Sequence, residues 1–178
     1  MKVFPKLWLI NIILIPIINS SFLQPFFNEN VSYFRNYWIW FLLIGIIIIA
    51  VGIKIYSLAK KLLKIKIIEE KIPTLITKGI YLILRHPTYL SWILIYIGIT
   101  FILDSFVGIL FCSILIIFTE LLCFLEEKYI IIPKFIDSYE QYKKKTPYRL
   151  FPPPYNYVFI IMAIILTYIG FLNFFNIY

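Results

Sequence analysis

Histidine and acidic side chains are scarce in this 178-residue chain, which holds one His and nine Asp plus Glu against 17 Lys plus Arg. Cysteine (two) and glycine (six) are sparse as well. Cys112 and Cys123 lie eleven residues apart on one apolar run, about 16 Å along a helix axis, too far for a disulfide. Without a second histidine or a Cys-x-x-Cys pair, no metal site is expected. Gly45, Gly52, Gly79, Gly98, Gly108 and Gly170 are scattered, so neither a dinucleotide fingerprint nor a phosphate-binding loop can be built.

What the chain has instead is hydrocarbon. It is 62% hydrophobic and 20% aromatic, with a mean hydropathy of +0.90, which excludes an ordinary soluble domain. A bilayer core asks for roughly 20 apolar residues per helical span, and five runs approach that length. They are Leu7–Phe27, kinked at Pro16 and read as retained, Tyr37–Tyr56, Tyr89–Leu103 with Ile80–Leu84 as a forward extension, Phe106–Leu125, and Tyr155–Phe175. Only Asp104 and Ser105 separate the third from the fourth, which predicts a tight helical hairpin. Pro152-Pro153-Pro154 isolates the last. The expected fold is therefore all-α, one integral membrane domain of five transmembrane helices.

With the N-terminus on the cytoplasmic side, every lysine and arginine except Arg35 falls inside, as the positive-inside rule requires. The net charge of +8 then reads as orientation and attraction to anionic lipid, not as a nucleic-acid footprint. Lys60 to Glu70 mixes lysine with aliphatic residues, which fits either a helix lying at the interface or a snorkelling extension of the second span.

The chemistry is confined to two inward-facing segments. Arg85-His86-Pro87-Thr88-Tyr89 groups a fixed charge, the lone imidazole and a phenol, and Pro87 suits the first turn of a restarted helix whose unpaired N–H groups would face an anion. At the end of the fourth span stand Glu120, Glu126 and Glu127. Glu120 and Glu127 are seven residues apart and share a face, with Glu126 pointing elsewhere. Glu120 is open to two readings, a cavity carboxylate or a partner for a neighbouring helix. Tyr139 and Tyr142 share a helical face, which a basic surface helix with interfacial tyrosines would also explain.

Thr74-Leu75-Ile76-Thr77-Lys78-Gly79-Ile80-Tyr81, Arg85-His86-Pro87-Thr88-Tyr89, Glu126-Glu127 and Tyr139-Glu140-Gln141-Tyr142-Lys143-Lys144-Lys145-Thr146-Pro147 resemble, in order and spacing, the isoprenylcysteine carboxyl methyltransferases. These sit in a membrane methyltransferase group that also includes phospholipid N-methyltransferases. The likeness covers residues 73–152; residues 1–72 become scaffold and lipid access, and 153–178 a closing span.

The resemblance implies S-adenosyl-L-methionine in a membrane-embedded pocket at the cytoplasmic border and a lipid-like acceptor, prenylated or phospholipid, entering from the bilayer. Cofactor contacts carried over by position are Thr74, Leu75, Ile76, Thr77, Tyr81, His86, Pro87, Thr88, Tyr89 and Glu127. Glu127, Glu120 and Arg85 are the expected catalytic groups, and Cys123, Glu120 and Glu126 the acceptor side. Carboxyl-methylating relatives have a substrate-binding arginine where this chain has Cys123, and Phe135-Ile136 stands for their Phe-Gly. Carboxyl methylation leads, amine methylation follows, and an NADPH-dependent sterol or polyprenyl reductase, whose kind carries a similar Arg-His-Pro-x-Tyr element, is the distant alternative.

Overall fold

The computed structural model describes residues 38–69, 75–103 and 105–151, together with isolated helical positions at 17, 157, 161 and 164. The expected spans Leu7–Phe27 and Tyr155–Phe175, the residue Thr74 and the retained N-terminal segment lie otherwise outside the described residues. All the regular structure among the described residues is helical.

Helix α1 runs Trp38–Glu69 without a break. Its isoleucines are only middling helix formers, but a backbone surrounded by hydrocarbon can satisfy its polar groups only within itself. The stretch Ile39–Leu63 is the one helix among the described residues both long and apolar enough to cross a membrane. Beyond it the same helix continues through the lysine-rich turns, so the extension, not a separate interfacial helix, is the form the chain takes.

After α1 the chain re-enters at Leu75 and makes a 3-10 turn, Gly79–Leu82, opened by Gly79 at φ 60, a left-handed conformation that glycine adopts without steric cost. Helix α2 spans Pro87–Ile102 and helix α3 spans Phe106–Glu126. Ser105 caps α3, its hydroxyl accepting from the N–H of Gly108 at 3.1 Å, and Tyr96 Oη donates to Gly108 O at 3.0 Å. The expected hairpin is thus pinned at its tip from both sides.

Helices α1 and α2 approach closely through glycine. A Cβ placed on Gly98 would lie 2.5 Å from Ile49 Cγ1 and 2.7 Å from Gly45 O, so the two backbones meet where no larger side chain fits, as in membrane helix pairs. Large apolar side chains point outward, Ile47 at 62% and Ile117 at 70% exposure. Buried hydroxyls bond back to their own helices, Thr100 to Ile97 O and Thr119 to Leu115 O, both at 2.7 Å. An apolar exterior of this kind fits lipid, where water would penalise it.

Past α3 the helix widens into a π turn, Glu127–Ile131, with Ile132 N–H reaching Glu127 O. Pro133 explains the change of register, since it has no N–H for the usual bond and its ring crowds the preceding turn. A single helical turn, Ile132–Lys134, leads to Phe135, where the direction changes into helix α4, Ile136–Lys145. Only Tyr139 and Tyr142 of α4 are buried.

Candidate functional site

Four pieces of chain meet at the start of α2. His86 is the N-cap of that helix and Pro87 its first residue. The two backbone N–H groups ahead of the helix are held by the segment after α4: Arg85 N–H donates to Tyr148 O and His86 N–H to Arg149 O, both at 3.0 Å. Thr146 reinforces this strap, its hydroxyl donating to Leu82 O at 3.1 Å and its carbonyl accepting from Arg85 Nη1 at 3.4 Å. Tyr142 Oη donates to Tyr81 O at 2.6 Å. The face shared by Tyr139 and Tyr142 is therefore a docking face; α4 is not a free surface helix.

At the centre is Glu127, with 3% of its surface exposed. Its Oε1 lies 2.9 Å from Arg85 Nε and 3.1 Å from His86 Nε2, and its Oε2 accepts from Arg149 Nε at 3.0 Å. An ionised carboxylate only accepts, so Nε2 of His86 carries the proton in this contact. Burial works against the charge of Glu127, but hydrogen bonds from His86 and Arg149 and the adjacent Arg85 outweigh it and hold the carboxyl at about 2. Glu127 is thus a fixed anion that orients three cationic or donor groups.

Beside this cluster is a cavity of about 260 Å³. His86, Thr88 and Tyr89 from α2, Tyr81 from the 3-10 turn, Glu126 from α3 and Tyr139 from α4 line it, with Leu75, Ile76 and Arg85. Glu126 Oε2 is buried there and is 3.8 Å from His86 Nδ1, beyond hydrogen-bond length, while the Tyr139 hydroxyl helps hold the charge of Glu127. Of the first-turn N–H groups of α2, those of Tyr89 and Leu90 donate to His86 O, which leaves that of Thr88. An adjoining hollow of about 520 Å³ shares Leu75, Phe135 and Tyr142 with the cavity and adds Thr77.

The sequence expectations divide accordingly. Leu75, Ile76, Tyr81, His86, Thr88 and Tyr89 come together around one cavity, Pro87 is buried behind it, and Thr74 is outside the described residues. Of the acidic doublet, Glu126 lines the cavity and Glu127 does not, because Arg85, His86 and Arg149 together hold the second carboxylate in their cluster. A carboxyl held at about 2 is also too weak a base to accept a proton near neutral pH.

Glu120 does share a face with Glu127, and Arg149 bridges the two, with Nη1 3.8 Å from Glu120 Oε2. Glu120 lines a different recess from Glu126. Cys123 is fully buried and borders none of these hollows, so it offers an acceptor no contact there. Arg149 escaped the sequence reading, since a lone basic residue 22 positions beyond its partner Glu127 carries no local signal.

With this geometry the comparisons can be placed. The phospholipid methyltransferase family model matches residues 37–132, more than half of the chain. This chain belongs to that family. A protein-S-isoprenylcysteine O-methyltransferase of Schizosaccharomyces pombe is 40% identical over 74 residues, 41% of this chain and 31% of that protein. The chain thus covers less than a third of that relative's length. No solved structure matches. The family match takes in α1, α2, α3 and the π turn, and it ends before α4 and the strap that supplies Arg149.

Proposed function

We propose that this protein is an S-adenosylmethionine-dependent membrane methyltransferase that esterifies the carboxylate of an isoprenylcysteine or a similar prenyl thioether. The observation that carries the reading is the convergence of His86, Thr88, Tyr89, Glu126 and Tyr139 on one cavity into which the buried Oε2 of Glu126 is turned. These groups fit the cofactor's chemistry. Glu126 Oε2 accepts from an ammonium or a ribose hydroxyl, and the Thr88 N–H suits a carboxylate at a helix start. The rings of Tyr81 and Tyr89 offer faces to a sulfur cation.

When bound, S-adenosylmethionine supplies a methyl group activated by a cationic sulfur. The chain's own residues then have little acid–base work to do, because a carboxylate acceptor is already ionised and alignment provides most of the rate. Arg85 and His86, fixed by Glu127, set the polar wall of the cavity, and Leu63, Ile131 and Phe135 give it an apolar one. In this reading the protein has five spans, with its N-terminus and the cavity on the cytoplasmic side. The one-sided distribution of lysine and arginine supports that arrangement.

A second reading, methylation of a lipid amine, is favoured by the burial of Cys123 where carboxyl-methylating relatives have an arginine. The two differ in product. Membranes containing the protein are incubated with methyl-labelled S-adenosylmethionine and the lipid and protein fractions treated with base. Label released by base is the expected result, base-stable label identifies the amine as acceptor, and absence of any transferred label contradicts methyl transfer.

A further inference from the structure

Arg149 lies outside the family match, which ends at residue 132, and it does not line the cavity that holds Glu126. It nevertheless reaches His86 by two routes. Its carbonyl accepts the His86 N–H at 3.0 Å, which fixes the backbone at the start of α2. Its side chain acts through Glu127: Nε donates to Oε2 at 3.0 Å, and Oε1 of the same carboxylate accepts from His86 Nε2 at 3.1 Å.

Glu127 needs that second anchor. Arg85 Nε is 2.9 Å from Oε1 but is not aligned for a hydrogen bond, so it supplies charge and little direction. A guanidinium pairs best with both oxygens of a carboxylate, and Arg85 would draw Glu127 round to that pairing if Oε2 were released. Arg149 occupies Oε2, with the Tyr139 hydroxyl as a further partner of the same carboxylate. Oε1 is thereby kept for the imidazole. The Arg149 guanidinium is itself steadied by the Phe124 ring at 5.4 Å and by Glu120, 3.8 Å from Nη1.

Resting on the methyltransferase reading above, we infer that Arg149 is a positioning residue that sets the tautomer of His86. With the proton fixed on Nε2, Nδ1 is left as a bare acceptor. It stands 3.8 Å from Glu126 Oε2, and both side chains line the cavity. Two acceptors at that spacing form no bond with each other. Together they suit a group that brings its own protons, the ammonium or a hydroxyl of the methyl donor. The opposite tautomer would turn Nδ1–H onto the Glu126 carboxylate and use up both acceptors. Arg149 thus decides the polarity of the cavity wall without contacting what binds there.

His86 is the only histidine in the chain, so its ring gives a single pair of nitrogen-15 signals, which separates the two neutral tautomers and the imidazolium. The full chain in detergent, labelled on histidine, is compared with Arg149→Ala and Arg149→Lys, and the affinity for S-adenosylhomocysteine is measured for each. The unaltered protein is expected to carry a proton on Nε2 and none on Nδ1. Arg149→Ala should lose that single state and about tenfold or more in affinity. Arg149→Lys, which keeps a cationic donor for Oε2, should recover most of both. A ring state that Arg149→Ala leaves unchanged overturns the inference whatever happens to affinity, as does full affinity in a variant whose tautomer has shifted. A proton on Nδ1 in the unaltered protein also overturns it, and that result needs no variant to fold. If the unaltered protein shows the expected ring state but binds no S-adenosylhomocysteine, the methyltransferase reading fails, and the ring signals alone decide the role of Arg149.

Discussion

Glu127 and Glu126 are chemically identical neighbours with opposite tasks, and the difference comes from what surrounds each. Glu127 meets two arginines and the imidazole, and removing its charge leaves those donors buried without their anion. Glu127→Gln is expected to lower unfolding stability by about 3 kcal/mol, measured by chemical denaturation in detergent. Its folded value of about 2 lies below the ordinary 4.5, so its charge contributes fully above pH 4.5. That contribution drains away as the pH falls from 4.5 toward 2. Stability of the unaltered protein should therefore drop across this window more steeply than that of Glu127→Gln, and parallel curves would contradict the assignment. At this scale the lone histidine and the acidic doublet are legible in the sequence, because polar groups are so rare in it that each one needs a reason. Which acid lines the cavity is not legible. It depends on Arg149, brought in by a strap whose backbone bonds to Arg85 and His86 have no signature in residue order.

Among the elements, the helices are the readable part and their ends the less readable. The helix expected over Phe106–Leu125 and the hairpin before it agree with α3 and its Ser105 cap, since apolar length and a two-residue break are local features. The π turn at Glu127–Ile131 was not anticipated, although Pro133 is its visible cause. The burial of Tyr142 follows from a partner 61 residues away, the carbonyl of Tyr81 in the 3-10 turn, which spacing alone cannot reveal. The fit of α1 against α2 makes a sharp prediction. Gly98→Ala puts a methyl group where Ile49 and the Gly45 carbonyl already stand, so it should cost about 1 to 3 kcal/mol, seen as a lower thermal midpoint in detergent. An unchanged midpoint would mean that the two helices do not meet there.

For the molecule as a whole, composition announces the membrane, and the apolar exterior of α1 and α3 agrees with it. Among the described residues the polar chemistry gathers at one end of the helices, where the 3-10 turn, the start of α2, the end of α3 and α4 line the cavity. The central claim is that this cavity binds the product form of a sulfonium methyl donor through the groups gathered around His86 and Glu126. The direct measurement is the thermal midpoint of the purified protein with S-adenosylhomocysteine, and separately with NADPH, since a ligand of the folded state stabilises by mass action, about 2.7 kcal/mol at a hundredfold excess over its dissociation constant. The account predicts a rise with S-adenosylhomocysteine alone that His86→Ala and Glu126→Gln abolish and Lys128→Ala preserves. A rise with NADPH alone, or a response to S-adenosylhomocysteine that survives loss of both His86 and Glu126, would contradict it.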